Sequence, residues 1–300
     1  MPLSHHSHIT AILHQVAAFP ALPATVNRVI EITGNPESSA NDLMQAILPD
    51  QSMCVAILKL ANSAFFGRPR HVASIEEAIV VLGFQEIRNI ILTHAIFDSF
   101  QRLKDTSKHD IDALWLHSLT CGLAAKIIAT HTTGYSSSKL FIAGLIHDIG
   151  KLAILMALPH SYSHLEQEGL SEQLQRAFFP EEEEKFGISH NTVGMRLLNR
   201  WLLPEQLCTA AGYHHRPDTA PGDAAFPLII QMANILSHIV HTDETLSGQE
   251  ILALIEKSNP EAALLWSRYN FQWQQEDIEV WLTALRTDIE DGTLLSLFSE

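Results

Sequence analysis

Apolar residues recur along most of the chain at spacings of three and four positions, which is the pattern of the buried face of an α-helix. The pattern is clearest at residues 26–32, 53–60, 87–97, 113–128 and 228–240. No long stretch shows the strict alternation of apolar and polar residues that predicts a half-buried strand. The sequence therefore predicts an all-α fold, a multi-helix bundle with short connections.

Polar residues mark several of the predicted helix starts. Ser74 with Glu77, and Ser247 with Glu250, have the spacing of a capping box, in which the serine and the glutamate each satisfy a free backbone amide. Asp50 has the position of a further N-terminal cap. These signals support the helical interpretation of the apolar pattern.

A polar stretch at residues 103–108 separates two apolar halves of the chain. It predicts a boundary between an N-terminal helical subdomain at residues 1–105 and a second subdomain at residues 106–245. A C-terminal helical extension is expected at residues 246–300, and its aromatic residues fit either a dimer face or an internal core. The extension carries three tryptophans, Trp266, Trp273 and Trp281.

The charge balance excludes two classes of partner. The chain has 19 Lys and Arg residues against 34 Asp and Glu, which gives a net charge of −15 with its 17 histidines neutral. Nucleic-acid backbones and anionic lipid surfaces are bound by clustered Lys and Arg. Neither a nucleic-acid polymer nor a membrane is therefore expected as a partner.

The cysteines and the apolar segments indicate a cytoplasmic location. Cys54, Cys121 and Cys208 are far apart and odd in number, which is typical of reduced, buried thiols. The N-terminus lacks the basic and then apolar pattern of a signal peptide. The most membrane-like stretch, residues 140–158, carries polar residues at its centre that would be costly in lipid, so it is interpreted as core helices.

Several histidines fall where an apolar core would not favour them. Burying these rings without partners would be expensive, so they need hydrogen bonds to the backbone, exposure at a cleft, or a shared metal ion. Imidazole and carboxylate groups are the usual ligands of Zn, Fe, Mn and Ni. The candidate ligands are His117, His147, Asp148, His190, His214 and His215.

One doublet in this set bears on its chemistry, whereas a nearby acidic run does not. The doublet of His147 and Asp148 offers a terminal imidazole and a carboxylate able to bridge two ions, and two ions about 3.5–4 Å apart would position a water and stabilise a phosphoryl oxyanion. The acidic run at residues 181–184, by contrast, is interpreted as a solvated helix end or loop without chemistry.

The segment GLIHDIGK at residues 144–151 resembles the signature of the HD superfamily of metal-dependent phosphohydrolases. More narrowly, the chain resembles HDOD-domain proteins, which are bacterial signalling relatives. The resemblance extends over about residues 15–240. Its further motifs are FPALP at 19–23, DQSM at 50–53, LANSAFFG at 60–67, SIEEAI at 74–79, LG at 82–83, FGISH at 186–190, WLLP at 201–204 and HH at 214–215.

The resemblance implies roles for individual residues. His117 matches the first histidine of the HD pattern, and His147 with Asp148 match its central doublet. The three later histidines match extra metal-binding histidines of the related HD-GYP phosphodiesterases, and Lys151 matches a phosphate-contacting lysine. Asn234 stands where the pattern has its final aspartate, as a neutral and weaker ligand. The Gly-Tyr-Pro of the HD-GYP enzymes is missing after the histidine doublet, so their cyclic-dinucleotide specificity is not implied.

Two functions follow from the resemblance. The first is a regulatory signal-transduction protein with one or two divalent ions (Fe, Mn, Ni or Zn), which acts mainly by binding signalling proteins on other chains. The alternative is a metal-dependent phosphohydrolase of a nucleotide or phosphodiester, in which Asp148 and Lys151 serve catalysis and the ligand is a small phosphate-containing molecule. A pH sensor built from the histidines is a third interpretation, which the use of the doublets as ligands makes unnecessary.

Overall fold

The computed structural model describes residues 5–62, 71–101, 104–132, 134–159, 161–162, 170–178, 181–242 and 246–290. Within these ranges the regular structure is helical and contains no strand, which confirms the predicted all-α fold. Residues 63–67 of the LANSAFFG motif lie outside the described residues. The helices are α1 (His5–Ala18), α2 (Ala24–Gly34), α3 (Ala40–Ile47), α4 (Gln51–Ala61), α5 (Ile75–Leu82), α6 (Phe84–Gln101), α7 (Lys104–His131), α8 (Ser137–Ile146), α9 (Ile149–Ala157), α10 (Leu170–Phe178), α11 (Glu182–Phe186), α12 (His190–Arg200), α13 (Glu205–Tyr213), α14 (Ala225–Ile239), α15 (Gly248–Ser258), α16 (Pro260–Arg268) and α17 (Gln275–Glu290).

The chain forms two compact units. Residues 20–101, with α2 to α6, and residues 287–290 at the end of α17 form the smaller unit, and residues 5–19 and 104–286 form the larger unit. The domain boundaries expected near residues 105 and 245 stay predictions.

In the smaller unit, short helices pack their apolar faces together. Ile57, Ile79 and Ile87 are among the buried side chains that α4, α5 and α6 contribute to its core. Gly83 separates α5 from α6 with φ of 82°, a left-handed conformation that glycine adopts without steric cost. The chain direction bends by 117° between the two helices. The core of this unit is therefore the ordinary apolar kind that the periodicity predicts.

Side-chain caps hold the starts of α3, α4 and α5 in the smaller unit. Asp50 accepts a hydrogen bond from the Met53 amide, as predicted. At α5 the predicted capping box is half wrong. The Ser74 hydroxyl accepts from the Glu77 amide, but the Glu77 carboxylate accepts from the Ala73 amide instead of that of Ser74. The box predicted at the start of α15 is complete.

The larger unit is built around α14, which is buried on almost every side. Such a helix lies at the centre of a bundle, and here it packs against α7, α8, α10 and α13. In the C-terminal helices Trp273 and Trp281 are buried, and Phe271 stacks on Trp273 at 4.8 Å between ring centroids. Of the two interpretations of these aromatic residues, the internal core is therefore the one observed for Trp273 and Trp281.

Two helical stretches are long and apolar enough to cross a membrane by length and composition alone. They are Ile111–His131 and Ser137–Ala157, and the bent pair of α5 and α6 would make a third. The windows of the first two are 72% and 83% buried inside the protein. Burial in the core of the larger unit therefore accounts for their hydropathy, as expected for residues 140–158.

Candidate metal centre

Two glycines allow α8 and α9 to approach the backbones of α7 and α12 closely, at the place where the histidines lie. A Cβ atom on Gly144 of α8 would lie 2.7 Å from the Cys121 carbonyl oxygen of α7. A Cβ atom on Gly150 of α9 would lie 2.0 Å from the His190 carbonyl oxygen at the start of α12. Only glycine permits these approaches. The glycines of GLIHDIGK thus bring α8 and α9 against α7 and α12.

His147 and Asp148 occupy the break between α8 and α9. His147 follows the last residue of α8, Asp148 precedes the first residue of α9, and both side chains are buried. The Asp148 carboxylate is the centre of the cluster because histidines approach it from two sides.

One side of Asp148 faces two imidazoles. The Nε2 atoms of His117 and His147 each lie 3.4 Å from Asp148 Oδ2. We call these three residues the outer group, because the His117 side chain is 16% exposed to solvent. Their ligand atoms lie within 4.8 Å of one another, which is close enough to share one ion.

The other side of Asp148 faces three imidazoles. Asp148 Oδ1 lies 3.1 Å from His190 Nε2 and 3.7 Å from His214 Nε2, and His215 Nε2 lies 3.1 Å from His190 Nε2. We call these four buried residues the inner group. Their ligand atoms also lie within 4.8 Å of one another. The structure thus brings together the six residues predicted as ligands, with Asp148 common to both groups.

The ring nitrogens that point away from Asp148 are held by other partners. Nδ1 of His147, His214 and His215 lies 2.7, 3.1 and 2.6 Å from the carbonyl oxygens of Gly144, Ala211 and Ala177. A carbonyl oxygen only accepts, so each Nδ1 carries the proton and each Nε2 presents a lone pair to the cluster. This is the tautomer that a metal-ligating histidine needs.

His190 and His117 are held by side chains. His190 Nδ1 donates to Glu182 Oε1 at 2.7 Å, and the Tyr162 hydroxyl donates to the same oxygen at 3.1 Å. His117 Nδ1 lies 3.3 Å from Ser237 Oγ, whose own proton goes to the Asn234 carbonyl oxygen at 2.7 Å. Ser237 therefore accepts from His117, which leaves His117 Nε2 free as well.

Glu182 corrects the interpretation of residues 181–184 as a solvated run without chemistry. Glu181, Glu183 and Glu184 are at least partly exposed, but Glu182 is only 5% exposed and binds His190. Tyr162 and Ser237 are two further residues of the site that no sequence pattern singled out. The only sequence signal for Glu182 is its place one short helix before His190.

Burial and charge set the protonation of the cluster. Burial lowers the pKa of His147 to about 3 and that of His215 to about 3, and it carries the pKa of His214 well below its ordinary value. Burial opposes ionisation of Asp148 too, but the adjacent His147 imidazole and the Lys151 ammonium hold its pKa well below the usual range. Neutral imidazoles and an ionised carboxylate are the forms that bind metal.

Glu182 and His190 form the charged pair of the cluster. Burial disfavours both charges, but each stabilises the other. The pKa of Glu182 falls to about 2 and the pKa of His190 rises. A cation in the inner group would take over the role of the His190 proton.

Buried polar atoms without a hydrogen-bond partner are independent evidence that the cluster fits a divalent ion. Among the described residues, buried polar atoms without a hydrogen-bond partner include His117 Nε2, His147 Nε2 and Asp148 Oδ1. Buried polar atoms are rarely left unpaired. The two imidazole nitrogens face Asp148 Oδ2 in the outer group, and Asp148 Oδ1 faces the inner group. A donor set of nitrogen and oxygen without thiolate suits Fe, Mn, Ni or Zn.

The two remaining predicted site residues are Lys151 and Asn234. Lys151 Nζ contacts Asp148 Oδ2 at 2.6 Å, and its side chain is 19% exposed. Asn234 is buried one helical turn before Ser237, and its Oδ1 has no hydrogen-bond partner among the described residues. Its role as a ligand stays a prediction.

The comparisons with known proteins agree with this architecture. The family model of the HDOD domain matches residues 19–217. An uncharacterized protein of Treponema pallidum (strain Nichols) is 26% identical over 226 residues, which are 74% of this chain and 42% of that protein. The chain thus spans less than half the length of this relative.

Two solved structures are similar over nearly the whole chain. An HDOD domain protein of unknown function from Geobacter sulfurreducens is 23% identical with a TM-score of 0.67, and the match covers 98% of this chain and 97% of that one. A candidate phosphohydrolase from Shewanella amazonensis SB2B is 18% identical with a TM-score of 0.66, covering 96% of each chain. At these identities the likeness shows the shared fold.

Proposed function

The chain belongs to the HDOD family, and from this premise we propose that it is a signalling protein whose two-sided metal centre hydrolyses a phosphoester. The observation that carries the proposal is the place of Asp148 between the inner and outer groups. A carboxylate in that position suits two ions that act on one phosphate. The intact hydrogen bonds behind all five imidazoles support a working centre, because such partners orient metal ligands.

Each residue has a role in this proposal. The six members of the two groups would hold the ions, which supply Lewis-acid polarisation of a phosphoryl oxygen. His117 and Lys151 are the partly exposed members of the site, so substrate would approach from their side. Lys151 would turn its ammonium group from Asp148 toward a phosphate oxygen, and the buried walls on the other sides exclude bulk water.

Metal analysis tests the premise. Protein purified without a His-affinity column should contain Fe, Mn, Ni or Zn in near-stoichiometric amount, and the double variant His147→Ala/Asp148→Ala should lose it. Substoichiometric metal that is unchanged in the double variant would overturn the assignment of the centre.

Turnover tests the activity. A phosphodiester assay across Mn, Fe, Ni and Zn should detect hydrolysis that Asp148→Ala abolishes and that Lys151→Ala lowers by about 10²-fold or more, since charged groups at the developing oxyanion have effects of that size. A fully loaded centre without turnover on nucleotide and phosphodiester substrates would reject hydrolysis.

A second candidate function is regulation by binding partner proteins, and exposed apolar side chains of the smaller unit favour it. Val80 of α5 is 76% exposed, and Val55 and Leu48 are exposed on neighbouring segments of this unit. Contiguous patches of exposed apolar side chains mark interaction surfaces, and this candidate takes the three side chains to belong to one such patch. We propose that signalling proteins on other chains bind there.

Crosslinking in cells tests this candidate. A signalling protein captured by the wild type should be lost in Val80→Glu and retained in Leu264→Glu, because Leu264 is also 76% exposed but belongs to the larger unit. Equal capture by both variants would reject the smaller unit as the docking surface.

We propose that the protein acts in the cytoplasm. Its three free cysteines support that location.

A further inference from the structure

The inner and outer groups differ in the number of donors they offer. The inner group presents three imidazoles and the Asp148 carboxylate, whereas the outer group presents two imidazoles and shares the same carboxylate. Four protein ligands complete the coordination that Zn²⁺ prefers, and three leave a position for water or substrate. The donor count alone favours the inner group as the tighter site.

The charges behind the two groups differ in the same direction. The inner group is backed by the Glu182 carboxylate, which receives the His190 Nδ1 proton at 2.7 Å. The outer group is backed by the neutral hydroxyl of Ser237 at 3.3 Å from His117 Nδ1. Asn234, the buried amide one turn before Ser237, is neutral too. A cation is therefore stabilised by a second negative charge on the inner side only.

The exposure of the two groups also differs. Each member of the inner group is at most 4% exposed, and His117 of the outer group is 16% exposed. An ion in the outer group has water within reach, and its ligands can exchange with water, whereas an ion in the inner group is enclosed by protein.

We infer that the chain binds its two divalent ions unequally, with a tightly held ion in the inner group and an exchangeable ion in the outer group. This inference rests on the proposed metal centre and adds a form of regulation to it. At low metal the protein carries one ion, and the second ion arrives only when metal is abundant. Hydrolysis would then depend on the supply of the exchangeable ion.

Calorimetric titration of chelator-stripped protein with Mn²⁺ tests the inequality without any assay of activity. We expect two binding steps whose dissociation constants differ about tenfold or more, the size of effect that outer partners have on metal affinity. Gel filtration of the loaded protein should leave one ion per chain. A single step for two ions, or two ions retained, would overturn the inference.

Two substitutions assign the steps to the groups. Glu182→Gln should weaken the tight step by about 10–100-fold and spare the weak one, whereas Glu183→Gln, the exposed neighbour, should change neither. Asn234→Asp should strengthen the weak step only, because it adds a charge on the outer side. Weakening of the weak step by Glu182→Gln, or strengthening of the tight step by Asn234→Asp, would contradict the assignment.

The outcomes separate this inference from the proposed function. If the protein binds no ion, the metal centre itself is rejected. If it binds two ions equally, the centre stands and only the inequality fails. If Glu182→Gln has lost its helical circular dichroism, Tyr162→Phe takes its place. It removes one donor to Glu182 and should shift the tight step less but in the same direction, and an unchanged tight step would count against Glu182.

Discussion

Three helices of the smaller unit and four helices of the larger unit are fixed at their starts by different means, although α8, α15 and α16 of the larger unit are also capped by side chains. In the smaller unit, Ser39, Asp50 and Ser74 cap α3, α4 and α5 with their side chains. In the larger unit the residues at the N-cap positions of α9, α12, α13 and α14 make no side-chain cap bond within the described residues. These helices are held by backbone approaches at glycine and by burial.

Asp148 illustrates the consequence of this difference. It stands at the N-cap position of α9, where an aspartate normally bonds the free amides of the first turn. Here its carboxylate is directed at four histidines and Lys151 instead. A residue type that serves local stability in one unit serves the candidate centre in the other, so the larger unit needs packing to replace the missing cap.

Low pH should produce the largest difference in folding stability between the two units. In metal-free protein the pKa values of His147 and His215 are lowered to about 3 by burial, so between pH 6.5 and 3 the unfolded state binds more protons and folding stability falls as pH falls. Each such histidine contributes about 1.4 kcal/mol per pH unit in that window. The raised pKa of His190 acts in the opposite sense, but it is one group against these two and His214.

Tryptophan fluorescence can follow this effect because the tryptophans all belong to the larger unit. They are Trp115, Trp201, Trp266, Trp273 and Trp281. The urea midpoint from fluorescence should fall steadily from pH 6.5 to pH 4, and saturating Mn²⁺ should flatten the dependence. A midpoint that stays level in metal-free protein would contradict the neutral buried histidines.

Glycine-to-alanine changes in the two units should differ in their effect on folding stability, because the backbone around the two glycines is packed differently. Gly150→Ala should destabilise the larger unit by about 3 kcal/mol, the upper part of the range for overpacking, because the new Cβ atom meets the His190 backbone. Gly34→Ala in the smaller unit should cause no loss, since nothing lies within 4 Å of its Cβ position. Urea unfolding, followed by fluorescence for the first and by circular dichroism for the second, gives both values. Equal effects would remove the distinction.

The same contrast explains what the sequence could predict. Helices and caps such as Asp50 are local, so periodicity and residue type were enough to place them, although the Ser39 cap of α3 was not predicted. The six candidate ligands could be proposed because histidines inside apolar stripes are conspicuous. Glu182 could not, because its burial depends on Tyr162 and His190 from other segments. The second arm of the Ser74 box failed for a related reason: the Glu77 carboxylate accepts from a different amide, that of Ala73, at 2.9 Å.

Serine-to-alanine changes at two N-cap positions test the difference in capping. Ser74→Ala should destabilise the smaller unit by about 1 kcal/mol, because the Glu77 amide loses its acceptor. Ser189→Ala, at the start of α12, should cost clearly less, since Ser189 contacts only the Thr192 hydroxyl at 3.3 Å among the described residues and caps no amide. Chemical denaturation of both variants decides the matter, and a larger loss for Ser189→Ala would reverse the comparison.

A substitution at the end of α12 should have the smallest effect on folding stability, and that effect should be a gain. The Leu203 amide bonds the Leu198 carbonyl and the Leu202 amide bonds the Asn199 carbonyl, which is the Schellman ending that usually carries glycine at the position of Leu202. Leu202 has φ of 55°, a left-handed conformation that costs a branched residue about 1–2 kcal/mol, and its side chain is 82% exposed, so little packing would be lost on its removal.

Leu202→Gly should therefore stabilise the larger unit by about 0.5–1 kcal/mol, once the greater freedom of glycine in the unfolded chain is subtracted. Asn270→Gly is the matched control. Asn270 has φ of 58°, and asparagine tolerates this conformation, so its replacement should change the urea midpoint little. If Leu202→Gly lowers the fluorescence midpoint, the leucine side chain stabilises the end of α12 through contacts that outweigh its strained backbone. The end of α12 would then rely on packing even at the surface, and its contrast with the locally capped helices α3, α4 and α5 would be stronger still.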